Sequence, residues 1–398
     1  MPQPLPSSPK SLLDVMLPVR RDLHRFPEVG LDLPRSQDRL LTALDGLGLE
    51  TTLGTTSSAV TAVLRGGRPG PSVLLRADFD ALPVTEKTGL PYAAETGTMH
   101  ACGHDLHAAM LVGAAHLLHG QRETLAGDVV LAFQPGEEGY DGAAHMLADG
   151  VLDASGTRAS AAYALHVISS VFPSGILASR GGPLMAAVDT LEVTVRGVGG
   201  HGSVPHRAKD PVLAAAEMVT ALQLAVTREF DVFDPVVVTT GELHGGTAHN
   251  VIADVAHFAS TVRSFSEAAH DKLAEVLPRV CRGVALAHGV EVDAELKPLF
   301  PATINDVTEA QWALELGREQ VGSERAIELP HPVTGSEDFS RFLDLVPGAM
   351  LFLGATPPGA DPDSAPYNHA PEADFDEEVL ETGAQLLTTL ATERLRRG

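Results

Sequence analysis

Three strand-like runs in this chain each lead into a side chain that binds divalent metals, and that arrangement constrains the fold more than any other feature. Val73–Leu75 runs into Arg76-Ala-Asp78-Phe-Asp80, Val129–Phe133 into Gln134-Pro-Gly-Glu137-Glu138, and Ala161–Leu165 into His166. Between the first two lies Met99-His-Ala-Cys102-Gly-His104-Asp105, with a thiol, imidazoles and a carboxylate close together. Open α/β sheets bind ligands in the crevice beyond the carboxyl ends of their strands. Carboxylate, imidazole and thiol groups gathered there predict a transition-metal site. The chain reads as a metallohydrolase.

At 398 residues it is long enough for two domains. A hydrophobic fraction of 44% and a mean hydropathy of +0.07 indicate globular cores rather than disorder. The formal charge of −24 argues against nucleic acid or an anionic membrane surface as partner. No apolar run approaches the roughly 18–20 residues of a membrane-spanning helix. The Pro- and Ser-rich lead, Met1 to Lys10, shows no apolar stretch of a secretion signal. Two distant cysteines, Cys102 and Cys281, fit a reducing compartment, so cytoplasm is the expected location.

Along the chain, helices are predicted over Leu12 to Leu23 and Ser36 to Leu47, then short strands Ala59–Leu64 and Ser72–Leu75 divided by a hairpin turn at Arg65-Gly-Gly-Arg-Pro-Gly70. Asp105 is expected to cap a helix running to about His119. Strand 129–133, a helix near Ala143–Asp149 and strand 161–165 follow. This alternation predicts an α/β domain with a mostly parallel sheet flanked by helices. From about residue 187 the order becomes βαββαβ, with Asp210-Pro211 as a helix start. That is the order of a ferredoxin-like sandwich. Strand and helix alternation resumes after Pro301. The expected domains are residues 1–185 and 301–398 as one catalytic domain, with 186–300 inserted as a lid and dimerisation domain.

The side chains of Cys102 and His104 are two apart, so an extended segment would point both the same way, with Gly103 letting the backbone approach a metal. The pair would bind one ion or straddle two. Cys281 falls on the apolar stripe Leu273, Leu277, Val280, Val284 of a helix and reads as core. Glu137 and Glu138 predict a division of labour, one binding metal and the other accepting a proton, without the residues saying which. His166, at its strand end, is a ligand candidate. His369, in Tyr367-Asn-His-Ala-Pro-Glu372, lies in a polar loop. The turn Gly199-Gly-His201-Gly-Ser-Val-Pro-His206 carries two imidazoles. Gly335-Ser-Glu-Asp-Phe339 reads either as a helix N-cap or as part of a site, with Gly335 a substrate-binding candidate.

Taken together, Arg76 to Pro83, Met99 to Asp105, Phe133 to Glu138, Leu165-His166, Gly199 to His206 and Asn368-His369 resemble the aminoacylase/carboxypeptidase family of dinuclear metallohydrolases. The similarity is greatest to the branch of hippurate hydrolases, auxin–amino acid conjugate hydrolases and bacterial N-acyl-amino acid aminoacylases. It extends from Arg21-Asp-Leu-His-Arg-Phe-Pro-Glu28 to the C-terminal helix. The resemblance implies two divalent ions per subunit, Zn2+ or Mn2+ with Co2+ or Ni2+ as alternatives, on Cys102, His104, Glu138, His166 and His369. It makes Glu137 the general base, Asp80 a carboxylate that orients a ligand, and His201 the stabiliser of an oxyanion, often supplied by a partner subunit. Asn250 and Arg263 match positions that hold a substrate carboxylate. Cys102 stands where most branches place a bridging aspartate, as is usual in this branch. The implied activity is hydrolysis of N-acyl amino acids, small-molecule substrates, by a homodimer or higher homo-oligomer. The alternative is a dipeptidase or carboxypeptidase of the same fold.

Overall fold

The computed structural model describes residues 11–398; the lead from Met1 to Lys10 lies outside the described residues. They divide into two compact units. One reaches to Leu184 and resumes over Ile304–His331 and Asp338–Gly398, and the other comprises Met185–Thr303 with Pro332–Glu337. Among the described residues no helix is long and apolar enough to cross a membrane.

The first unit is built on an eight-stranded sheet whose centre is parallel. Its four central strands lie in the spatial order Ala126–Gln134, Arg68–Asp78, Ala159–Ile168 and Gly348–Gly354. Val60–Leu64 adds antiparallel to one side, and Leu177–Ser179 antiparallel to the other. Runs such as Val73–Leu75 and Val129–Phe133 are buried on both faces, as strands covered by helices must be. Each fully buried Leu or Phe there contributes about 1.5–3 kcal/mol of transfer free energy. Helix His104–Gly120 packs against Leu13–Arg25 and Val379–Arg397 and is buried on nearly all sides, which explains its row of Ala108, Ala109, Ala114 and Ala115.

Four expectations are corrected here. Residues 65–70 make no hairpin, because strand Ala126–Gln134 lies between the two strands they join, antiparallel to one and parallel to the other. A glycine is needed there for close approach: a Cβ on Gly70 would lie 1.9 Å from the Ala126 carbonyl oxygen. Asp105 does not cap its helix; Gly103, at φ 86, holds that position, and the Asp105 carboxylate turns instead to Arg20 and His24. Cys102-Gly-His104 is therefore a left-handed turn into a helix rather than an extended segment, and a Cβ on Gly103 would lie 2.4 Å from a Val167 methyl. The helix N-cap reading of Gly335–Phe339 fails at its acids, since the short helix Ser340–Leu343 starts beyond Asp338 with no side-chain cap and the Asp338 carboxylate is buried among Arg76, Gln134 and Ala143. The helix Val307–Val321 also had no counterpart in the sequence reading.

The second unit has the order βαββαβ: strands Ala187–Arg196, Val237–Gly245, Val255–Ser264 and Glu291–Phe300, with helices Pro211–Glu229 and Glu267–His288. Strand Ala187–Arg196 is central, between Val255–Ser264 and Glu291–Phe300, and all neighbours are antiparallel. This is a ferredoxin-like sandwich. Its strands bury alternate residues (Leu191, Val193, Val195; Ala256, Phe258, Val262) against the helices. Asp210 caps the first helix by accepting from the N–H groups of Val212 and Leu213, ahead of Pro211. Cys281 is fully buried in the second helix, and burial pushes its thiol up to about 12, so it is an inert core residue.

Candidate metal centre and active site

The parallel strands of the first unit deliver their side chains to one end of the sheet. Strand Arg68–Asp78 leads to Asp78 and Asp80, and Ala126–Gln134 leads through a Pro-Gly turn to Glu137 and Glu138. His166 sits two residues before the end of Ala159–Ile168. His369 arrives from a loop after the last strand, its backbone held at φ 74 with its N–H donating to the Ala101 carbonyl at 2.8 Å. Cys102 Sγ lies 3.4 Å from His166 Nε2 and 3.3 Å from His369 Nε2. Glu138 Oε1 is 3.0 Å from His369 Nε2 and 4.0 Å from His104 Nε2. Among the described residues five groups of potential ligand atoms lie within 4.8 Å of one another, and two of them, Cys102–His104–His166 and Cys102–Glu138–His369, share Cys102. Cys102 belongs to both, and a sulfur so placed can lie between two ions.

The pocket suits divalent metals by its unsatisfied atoms and by its charge. His104 is buried, yet neither ring nitrogen makes a hydrogen bond, the nearest carboxylate oxygens being Asp80 Oδ1 at 3.4 Å and Asp78 Oδ2 at 3.7 Å. Buried polar atoms are normally paired, so these are atoms arranged for a ligand outside the chain. Burial opposes an imidazolium at His104, but Asp78, Cys102 and Asp80 outweigh it and hold its pKa well above the ordinary range. Hydrogen bonding of the His369 ring to Cys102 Sγ and the Glu138 carboxylate, which accept, raises His369 to about 10. A field that attracts protons this strongly attracts divalent cations more. His166 is the opposite case: burial, then His107, depress its pKa well below the usual value, leaving a neutral imidazole. Its Nδ1 donates to the Val167 carbonyl at 2.8 Å, so Nε2 is the nitrogen left to bind an ion. Sulfur, imidazole and carboxylate together are a donor set for zinc and its first-row neighbours.

Behind these atoms lies a set of anchors. Asp80 accepts the backbone N–H of Glu137 on one oxygen and that of Glu138 on the other, both at 3.0 Å. It thereby fixes the acid pair, while lying 3.4 Å from His104 Nδ1. Sequence reasoning passed over His107, and it named Asp78 and Asp338 without the anchoring roles they have here. Asp78 accepts from His107 Nδ1 at 2.6 Å and from Arg76 at 2.7 Å. Since His107 Nε2 accepts the Val167 N–H at 2.8 Å, both its nitrogens are engaged, and it is excluded as a ligand despite its proximity. Arg76 also donates to Asp338 at 2.9 Å. The signals were present: His107 is three residues from His104 and shares its helix face, and Asp78 is two residues from Asp80.

Within the second unit, His201 lies on the ribbon Gly200–His201, paired with Val251–Ile252, and is exposed. Its Nδ1 accepts the Ser203 N–H at 3.1 Å. Asn250 adjoins it, with its carbonyl accepting the Gly202 N–H at 2.8 Å. Arg263, on strand Val255–Ser264, donates to Ser336 Oγ at 3.0 Å, and neighbouring Gly335 accepts the Ala186 N–H at 2.8 Å. The four residues thus form two pairs on this unit.

Fold and donor set together define a metal-dependent amidohydrolase. Residues 74–393 match the sequence model of peptidase family M20/M25/M40, and the chain belongs to that family. It is 34% identical over 390 residues to thermostable carboxypeptidase 1 of Saccharolobus solfataricus, covering 96% of each chain. It is 34% identical to the N-acetylcysteine deacetylase of Bacillus subtilis, covering 94% of this chain and 96% of that one. A solved Bacillus subtilis structure described as a dinuclear metal binding peptidase of the M20 family superposes with a TM-score of 0.82 at 31% identity, covering 98% of this chain and 99% of the other.

Proposed function

We propose that the enzyme hydrolyses the amide bond of N-acyl amino acids, releasing a carboxylic acid and a free amino acid. The observation that carries this reading is the pair of ligand groups sharing Cys102, with Glu137 beside them on a backbone pinned by Asp80. Cys102, His104, Glu138, His166 and His369 would hold two divalent ions, with zinc or manganese as first choices and cobalt or nickel as alternatives. Bound there, the ions would lower the pKa of a water and polarise the acyl carbonyl. Glu137 accepts the proton of the attacking water and passes it to the departing amine, ending the cycle as a carboxylate. His201 donates to the oxyanion of the tetrahedral intermediate, and Arg263, with Asn250 and Gly335, takes the α-carboxylate of the substrate. We assign the enzyme to the cytoplasm as a homodimer or higher homo-oligomer, the form in which a partner subunit can supply His201.

Support comes from relatives named for deacylation: the N-acetylcysteine deacetylase, and plant IAA-amino acid hydrolases up to 36% identical. The carboxypeptidase relative favours a second reading, cleavage of dipeptides or peptide C-termini. A panel of N-acyl amino acids and dipeptides, offered to metal-reconstituted protein with release of free amino acid as readout, separates the two. Turnover of N-acyl amino acids is expected. Turnover of dipeptides alone would replace the first reading by the second.

A further inference from the structure

One buried amide touches all three chain segments that carry Cys102, His166 and His369. Asn368 directly precedes His369 and is 9% exposed. Its Nδ2 donates to the Cys102 carbonyl at 3.1 Å and to the Val167 carbonyl at 3.0 Å. Its Oδ1 accepts the backbone N–H of Ser169 at 3.0 Å and lies 3.0 Å from the Ser169 hydroxyl, whose single proton also faces the Pro366 carbonyl at 2.8 Å. A primary amide has two N–H bonds and two lone pairs. Here both N–H bonds and at least one lone pair are spent on the backbone of the Cys102 and His166 segments.

The bond to Val167 matters most. Its carbonyl receives Asn368 Nδ2 and His166 Nδ1 together, while its N–H goes to His107 Nε2. The orientation of the His166 ring is thus tied to a carbonyl that Asn368 holds. The same nitrogen grips the peptide of Cys102, and the next residue along is His369 at positive φ, a conformation that persists only where its surroundings enforce it. Separations among ligands on three segments distant in sequence are then set by one side chain.

We propose that Asn368 is a positioning residue that sets the mutual placement of Cys102, His166 and His369 for metal binding. This rests on the metal-centre reading above. Groups that hold metal ligands in place contribute tenfold to a hundredfold in affinity. No other side-chain type of this size offers two donors and an acceptor in this geometry. Leucine has the shape without the bonds, and serine is small enough to let water replace some of them.

The test compares wild type with Asn368→Leu and Asn368→Ser. Zn2+ dissociation constants are read by chelator competition, the sulfur-to-cobalt charge-transfer band in Co2+-loaded protein, and the Tm of each metal-free form. The proposal expects Zn2+ bound roughly ten- to a hundredfold more weakly by the leucine variant, a smaller loss for serine, an altered cobalt band, and metal-free Tm values close to wild type. Unchanged affinity and band in both variants would overturn it. So would a collapse of the metal-free fold in both, since the amide would then be supporting the fold and not the ligands. A wild-type chain that takes up no metal would overturn the metal reading itself, and is distinguishable because it needs no variant.

Discussion

His104 and Asp105 are adjacent, yet their side chains enter two different buried polar clusters. On the His104 side both nitrogens of a buried ring make no hydrogen bond, and the neighbouring acids leave the pocket attractive to cations. On the Asp105 side the Arg20 guanidinium and the His100 ring also lack hydrogen bonds, but the charges answer one another as ion pairs, Arg20 lying between Asp105 and Glu377. Asp105 accepts from His24 at 2.8 Å and lies 3.3 Å from Arg20, and His24 reaches Glu86 at 3.1 Å. Arg20 also lies over the Tyr92 ring, 4.6 Å from its centroid. Both clusters contain buried imidazoles and acids, so composition does not separate them. What separates them is whether the charges are neutralised internally. A cluster that balances itself holds the fold together, and one that does not calls for an outside ligand.

The sharpest way to break this contrast is to remove one group from each side. Glu137→Gln should lower kcat about 10³-fold, within the usual range for a general base, while bound metal stays the same. Activity near wild type with full metal content would strip Glu137 of that role. On the other side, Asp105→Asn leaves Arg20 buried without its closest carboxylate and should cost about 3 kcal/mol of stability, read from denaturant unfolding of the metal-free protein. If unfolding is unchanged and metal affinity drops instead, the two clusters are not separate.

A smaller effect tests the charge balance through pH. Burial lowers the His24 pKa, but Asp105 and Glu86 more than reverse it, so the folded value is raised. Its contribution is therefore complete below about 6.5, the ordinary value, and is lost as pH rises through the folded one. Asp105 is shifted down by Arg20 and His24 against burial, so its contribution is present above about 3.9 and lost in acid. The Tm gap between wild type and His24→Asn should be widest between about pH 4 and 6.5 and narrow on the alkaline side. A gap constant from pH 5 to 9 would show that His24 acts by packing alone. Least of all, Cys281→Ala should cost about 1 kcal/mol of stability, with turnover unchanged. A loss of bound metal in that variant would contradict its place in the core.

The apolar runs announced the central strands, because strands buried on both faces must be apolar throughout. The βαββαβ order was readable for a related reason: alternation marks each strand, and Asp210-Pro211 marks a helix start. Ligand candidates were legible because Cys, His and Glu are scarce in such positions, and the structure brings Cys102, His104, Glu138, His166 and His369 together. Long-range pairing was not legible. The glycines of residues 65–70 look the same whether they turn a hairpin or let strand Ala126–Gln134 pass close by. Asp105 looks like a helix cap until its carboxylate is seen facing Arg20, which is 85 positions earlier in the chain. Asn368 stood out only as the neighbour of His369, and its hydrogen-bond partners were not legible because they come from two distant segments.

Because Cys102 belongs to both groups of potential ligands, the proposed function makes the chemistry of a single sulfur decisive for the whole centre. Two successive equivalents of peroxide, carrying it through the sulfenic to the sulfinic acid, would alter a donor to both proposed ion positions at one residue, and the second step is not reversed by thiols. Inactivation by oxidants should then follow the oxidation of this one residue, with ions occupying the pocket slowing it by covering the sulfur. An enzyme arranged this way depends on a reducing environment for its working lifetime as much as on metal supply.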